Sequence, residues 1–325
     1  MSNQRVRSLT ALAAVALACA HARGGGDSGA IALRFAWPEP FQANVVVAHE
    51  SRRSGAEPTV LLARERLVTE RRGDELWVFT RDLAARGNDP DLDTTVKINE
   101  ALVQVVAKDG RFRRAEGLDE ALAAAKTASA GDRESTRRAL QRSTAFDWEV
   151  LVGAWAGERL EPGALRRKQV SAYVPELPAV EALLDVEYGV EARVPCTGED
   201  TARRCVALVY RGRLADGDRA ATLARLRRVA ASETNKAVPE DVHAEFEVLL
   251  VTEPGTLVPH RMSQRERLRV RLAAPDGHVV ETETRSEDTY GFSQGEPPPT
   301  SVPRRDEPRD PRREPEEPGR APTDV

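Results

Sequence analysis

Hydrophobic and polar residues alternate most regularly in the last third of the chain, within Val242–Phe292. Between 242 and 250 every second residue is apolar, and between 258 and 272 most residues of one parity are apolar while the other parity carries five arginines. Such alternation is typical of strands that bury one face. The turn sequence at 274–277, Ala-Pro-Asp-Gly, suits a tight hairpin. This stretch is therefore predicted to form an antiparallel meander.

The hairpin turn also predicts a register. If Ala274 faces His278, Arg271 lies opposite Glu281 and Arg269 lies opposite Glu283. We interpret the arginines of this meander as a solvated face paired with glutamates; the alternative is an anion-binding site.

Similar alternation predicts strands at 43–50, 59–70, 75–81, 111–115, 184–194 and 205–210, and favours a mostly extended segment at 95–107. Helical spacing of apolar residues predicts helices at 118–128, 132–144 and 216–231. We therefore expect an α+β fold: a curved, half-barrel-like antiparallel β-sheet with a few helices packed on one side.

Composition narrows the class of partner. The chain has 325 residues, 40% of them hydrophobic, and a formal net charge of -4. A near-neutral charge without aromatics interleaved among the arginines argues against nucleic acid as a partner.

The N-terminus predicts export. Arg5 and Arg7 precede a short apolar run that ends at Cys19. This pattern resembles the signal of bacterial lipoproteins, although the usual leucine three places before the cysteine is Ala16 here. The resemblance implies lipidation of Cys19, a membrane partner through that lipid anchor, and a cell-envelope location on the periplasm-facing outer membrane. Ordinary signal cleavage after Ala20 or Ala22 is the alternative.

The expected organisation follows from these signals. Residues 1–18 form a signal peptide and 19–30 a flexible spacer. Residues 31–292 form a single β-rich domain in two halves, 31–157 and 158–292. Residues 293–325, rich in proline and charge, form a disordered tail.

Two cysteines flank a short loop between predicted strands. In an exported protein Cys196 and Cys205 are most simply a structural disulfide, because a metal pair or redox motif favours tighter spacing. No metal site is predicted.

Other candidate chemistry is weak. Gly291-Phe292-Ser293-Gln294-Gly295 matches the nucleophile elbow of hydrolases, but the prolines that follow prevent the helix that this chemistry needs. The segment from Asp89 to Glu100 has the ligand spacing of a calcium loop with Thr94 in place of the required glycine, so a solvated acidic loop is expected. His49, His243, His260 and His278 are isolated. We therefore expect no catalytic residues and no cofactor.

These observations lead to a first hypothesis, a non-catalytic envelope lipoprotein that acts as a binding or assembly module. The alternative is a carrier of a lipid or other apolar ligand in a concavity between sheet and helices, with alanines of 118–128 leaving room under a lid. In element order the chain is similar to the half-barrel lipid and lipoprotein carriers of bacterial envelopes. The partner is accordingly expected to be a lipid or a protein.

Overall fold

The computed structural model describes residues 29–125, 130–174, 177–197, 202, 204–231, 237–274 and 277–294. The predicted signal peptide, the predicted lipidation site Cys19 and residues 295–325 of the predicted tail lie outside these ranges.

Thirteen strands are present in the described residues. They are β1 (Ile31–Ala32), β2 (Gln42–Arg53), β3 (Thr59–Arg72), β4 (Glu75–Gly87), β5 (Val103–Ala107), β6 (Phe112–Glu116), β7 (Arg159–Leu160), β8 (Leu165–Val174), β9 (Leu177–Val194), β10 (Cys205–Leu214), β11 (Val238–Thr252), β12 (Pro259–Ala273) and β13 (Val279–Gln294).

The helices are α1 (Leu92–Ala101), α2 (Leu118–Ala124), α3 (Ala130–Trp148) and α4 (Arg219–Ala231). A π-helical turn, Glu149–Gly153, continues α3, and a 3₁₀ turn, Asp216–Asp218, precedes α4.

Eleven of the described strands form one antiparallel sheet in the order β6-β5-β4-β3-β2-β13-β12-β11-β10-β9-β8. β1 and β7 pair separately. The last of the described strands, β13, lies between β12 and β2, so it joins a sheet half built from β2–β6 to a half built from β8–β12. The predicted α+β fold with an antiparallel sheet is confirmed.

The register of the closing meander matches the prediction. Arg271 lies opposite Glu281 and Arg269 lies opposite Glu283. The Ala274 backbone N–H donates to the His278 carbonyl at 2.8 Å, which closes the hairpin.

The sequence predicts a mostly extended segment at 95–107, and this prediction is wrong for the first half of the segment. Residues 92–101 form α1, and only Val103–Ala107 is a strand. Ile98 and Leu102 have the spacing of an amphipathic helix, and α1 packs on β4. The same helix replaces the solvated acidic loop expected from Asp89 to Glu100.

Helix α3 shows how strongly the sheet curves. It contacts β5 and β6 near one edge of the sheet and β8 and β9 at the other. At its C-terminal end the Trp148 indole N–H donates to the Gly110 carbonyl at 2.7 Å, and the adjacent Glu149 pairs with Lys168 of β8. Two strands at opposite edges can meet one helix only if the sheet bends around it.

We call the sheet face that packs on α3 the inner face. Trp148, Trp155 and Tyr210 are fully buried there, and Phe146 packs edge-on against Phe246. Helix α2, whose alanines were expected to leave free space, instead buries Ala121 and Leu122 against its neighbours α1 and α3. The inner face beneath the end of α3 is therefore filled by aromatic side chains.

Candidate functional site

The opposite face of the sheet, the outer face, carries two parallel rows of side chains across seven neighbouring strands, and all of them except Gln169 are charged. The first row is Arg167, Glu187, Arg211, Glu247, Arg265, Glu287 and Glu50. The second row is Gln169, Asp185, Arg213, Glu245, Arg267, Arg285 and Arg52. Each residue lies directly opposite the next across a strand pair.

The two rows form the walls of a depression that we call the outer trough, with a volume of about 1280 Å³. Its floor is the row between them, which includes Val186, Gly212 and Phe246. Side chains alternate along a strand, so the floor residues direct their side chains inward and present backbone outward. At a strand spacing of about 4.8 Å, the trough is about 29 Å long.

At Gly212 the inner side of the floor is covered by the aromatic ring of Phe246, which lies on the next strand. A Cβ built on Gly212 would lie 2.1 Å from Cε1 of Phe246. Glycine here therefore lets Phe246 of β11 pack flat against β10.

Charges alternate in sign along the first six residues of the first row, from Arg167 to Glu287. Arg167 Nη2 lies 2.7 Å from Glu187 Oε1, Arg211 pairs with Glu247, and Arg265 Nη2 lies 3.1 Å from Glu287 Oε1. Exposed pairs of this kind contribute about 0.2–1 kcal/mol each. They hold the charges in a fixed order without removing them from solvent.

One end of the second row is richer in arginine. Glu283 accepts hydrogen bonds from Arg285 at 3.0 Å, from Arg269 at 3.3 Å and from Arg267. Hydrogen bonds from Arg285 and Arg267 lower the pKa of the Glu283 carboxyl. Four of the five arginines of the meander, at 265, 267, 269 and 271, are thus paired with glutamates, in line with the first interpretation of the sequence, and guanidinium outnumbers carboxylate around Glu283.

The inner face holds a second polar group, the inner acidic cluster of Glu65, Asp147, Glu266 and Asp288. All four carboxyls act on the hydroxyl of Tyr290, whose pKa is raised well above its usual range, chiefly by burial. Burial raises the pKa of Glu65 to about 7. Burial, followed by the charges of Glu266 and Asp288, raises the pKa of Asp147 to about 7.

Asp147 has an exposed surface, although the protein atoms around its carboxyl desolvate that group and raise its pKa. Carboxyls with a pKa near 7 can give and take protons at neutral pH.

The sequence carries a signal for part of this cluster. Along β3 and β12, alternate residues face the inside of the fold, and Ala63, Leu268 and Val270 at such positions are buried. Glu65 and Glu266 lie at positions of the same parity. A carboxylate on a buried parity indicates a polar pocket or an ion pair. Asp147 carries no such signal, because its position depends on how α3 crosses the sheet.

Other predicted positions are placed as follows. Cys196 and Cys205 form the predicted disulfide. Ser293 lies in β13, and its hydroxyl is 3.5 Å from the Asn44 carbonyl oxygen, its hydrogen-bond acceptor. His49 pairs with Asp288, while His260 lies beside the disulfide and hydrogen-bonds to Glu253.

Within the described residues, none of the helices combines the length and apolar character that crossing a membrane would require.

Comparisons with known proteins gave a likeness in structure and none in sequence. No protein-family model matches the chain, and no curated protein matches it. Among solved structures, the chain is similar to one titled "Lipid-protein interactions in lipovitellin", with 9% sequence identity and a TM-score of 0.39. The likeness covers 81% of this chain and 26% of that chain, so this protein spans about a quarter of its length.

Proposed function

We propose that this protein is a non-catalytic binding module of the bacterial cell envelope, exported and anchored through Cys19, and that it binds its partner in the outer trough. The observation that carries the proposal is the trough itself, a backbone-floored groove across seven strands between two ordered rows of charge.

The spacing of the charges suggests the shape of the partner. From Arg167 to Glu287 in the first row, charges of one sign recur every second strand, at about 9.6 Å. A polyproline II chain presents every third side chain on the same side, at about 9.3 Å. We therefore propose a partner protein segment in this conformation, with acidic and basic residues repeating every third position.

The length of the trough sets the length of that segment. At about 3.1 Å per residue, a chain of about nine residues spans 29 Å. The extended conformation is already populated before binding in proline-rich chains, so little conformational entropy is lost when the segment docks.

A synthetic peptide tests this proposal. We expect a nine-residue peptide of three Arg-Glu-Pro repeats to bind the protein in isothermal titration calorimetry, and to bind more weakly as salt is added. A peptide with the same residues in blocks, three of each kind in turn, is the matched control. Equal affinity for both peptides would contradict the proposal, because a surface without ordered charge does not distinguish them.

Variants locate the binding surface. Arg265→Glu reverses a charge inside the trough and is expected to weaken binding of the repeating peptide. Arg261→Glu makes the same change four residues earlier on the same strand and face, outside the trough, and is expected to leave affinity unchanged.

Membrane anchoring has its own test. Incorporation of a labelled fatty acid into the exported protein, lost in Cys19→Ser, is the expected result. Cleavage after Ala20 or Ala22 with no lipid attached would contradict the anchor and leave the trough proposal standing.

The absence of catalysis is supported by the setting of Ser293, which lies within a strand with its hydroxyl directed at a backbone carbonyl. A measured hydrolase activity that disappears in Ser293→Ala would contradict a non-catalytic role.

A second candidate function is a carrier of an apolar or lipid ligand. It is favoured by partly exposed apolar side chains on the inner face of the central strands, including Val47, Leu61 and Met262. Native mass spectrometry of the gently purified exported protein tests it. An excess mass that resolves into lipid on denaturation supports a carrier, and a bare mass argues against one.

A further inference from the structure

A third ligating side chain lies beside the disulfide. The sulfur atoms of Cys196 and Cys205 and a ring nitrogen of His260 all lie within 4.8 Å of one another. Cys196 follows β9, Cys205 begins β10 and His260 lies near the start of β12, so the sheet gathers them at one end of three strands.

The histidine is oriented by a carboxylate. His260 Nε2 lies 3.2 Å from Glu253 Oε1, and the Thr256 hydroxyl donates to Glu253 Oε2 at 2.9 Å. Histidines that ligate metals generally donate their second ring N–H to a carboxylate, which fixes the tautomer. With Nε2 facing Glu253, Nδ1 is the nitrogen available for a metal.

The site also has an opening. A cavity of about 460 Å³ lies against it, lined by Cys196, Thr197, Arg204, Glu253, Gly255 and His260. Cys196 and Cys205 are both buried, and the His260 side chain is 17% exposed. A tetrahedral ion with three protein ligands could therefore take water as its fourth ligand from this side.

We propose that Cys196, Cys205 and His260 form a redox-gated zinc site, closed by the disulfide and opened by its reduction. Two thiolates and one imidazole are ligands that Zn²⁺ prefers, and three protein ligands plus water complete a tetrahedral site. The disulfide excludes the metal because both sulfurs are bonded to each other.

The redox step balances with a dithiol as reductant. The Cys196–Cys205 bond takes two electrons and two protons, giving two thiols, while the reductant becomes a disulfide. Binding of Zn²⁺ then releases both thiol protons to solvent, so affinity increases with pH over the range in which the thiols ionise.

The test uses the full exported chain, reduced with a dithiol and freed of reductant without oxygen. We expect one Zn²⁺ per chain in competition with a chromogenic chelator, and none in the oxidised protein. Bound Co²⁺ should give the sulfur-to-metal charge-transfer absorption of a thiolate site. No binding by the reduced protein, or reduced protein that unfolds and does not refold on adding Zn²⁺, overturns the proposal.

Variants assign the third ligand. His260→Ala should reduce zinc affinity strongly, and Glu253→Gln should reduce it by about 10–100-fold, the usual effect of removing such an orienting group. His243→Ala, in an exposed histidine on β11, is the matched control and should change nothing. Zinc affinity undiminished in His260→Ala overturns the proposal. If that variant does not fold, the His260 ring nitrogen resonances of the wild type must shift on zinc binding, and unchanged resonances overturn it equally.

Discussion

His49 Nδ1 lies 2.8 Å from Asp288 Oδ1, although the two residues are 239 positions apart in the chain. They are directly opposite each other on β2 and β13, the strand pair that joins the two halves of the sheet. The contact therefore lies on the inner face where the first long strand meets the last.

Removing this contact should weaken the fold. His49→Ala leaves the Asp288 carboxylate, whose side chain is 17% exposed, without its imidazole partner and close to Asp147. We expect the free energy of unfolding to fall by about 1–3 kcal/mol, the usual effect of leaving a buried polar group with one partner fewer. Urea unfolding measures this. His278→Ala, an exposed hairpin position, should change it by no more than about 0.5 kcal/mol.

The inner acidic cluster should make stability depend on pH. Glu65 and Asp147 have folded-state pKa values raised to about 7, so between about pH 4 and pH 7 the folded chain binds more protons than the unfolded chain. Their contribution to stability is therefore lost as pH rises through that range.

Asp147→Asn should remove part of that loss. We expect the variant to gain stability relative to wild type at pH 8 and to gain little at pH 4, measured as urea midpoints. Asp93→Asn, in an exposed aspartate of α1, serves as control. An equal shift of the Asp147 variant at both pH values would show that its carboxyl is not desolvated in the folded state.

Tyr210 presents a third testable feature. Its hydroxyl is buried, and no hydrogen-bond partner is found for it in the part of the chain that the structure describes. Tyr210→Phe removes the desolvated group and keeps the ring, which packs against Phe146 and Trp155. We expect thermal unfolding to show stability that is unchanged or raised by about 1–3 kcal/mol. A comparable decrease would indicate that the hydroxyl has a partner.

Local patterns in the sequence predict much of this fold. The alternation within β9 and β11 marks strands with one buried face, and the turn sequence that ends at Gly277 fixes the β12–β13 register because a one-residue slip would expose Leu268. The helical spacing of Leu223 and Leu226 likewise predicts α4.

Other elements lack such local signals. β8 carries the polar run Arg166-Arg167-Lys168-Gln169, so its sequence shows no alternation of apolar and polar residues. The sheet tolerates this polar run because β8 lies at its edge. The pairing of β2 with β13 cannot be derived from either strand, because each alternating strand suits many partners. The trough and the complete inner acidic cluster depend on that pairing order, so the sequence indicates only two members of the cluster, Glu65 and Glu266, as carboxylates on a buried parity.

The pairs in the trough permit a direct test of its role in binding. Arg211 of β10 pairs with Glu247 of β11, so exchanging them, Arg211→Glu with Glu247→Arg, keeps the ion pair and reverses the local order of charge. The measurement is the affinity of the repeating Arg-Glu-Pro peptide for wild type and for this double variant, alongside their urea midpoints. We predict unchanged stability and weakened binding. Binding that is unchanged in the folded double variant would contradict the claim that the ordered charges of the outer trough recognise a partner.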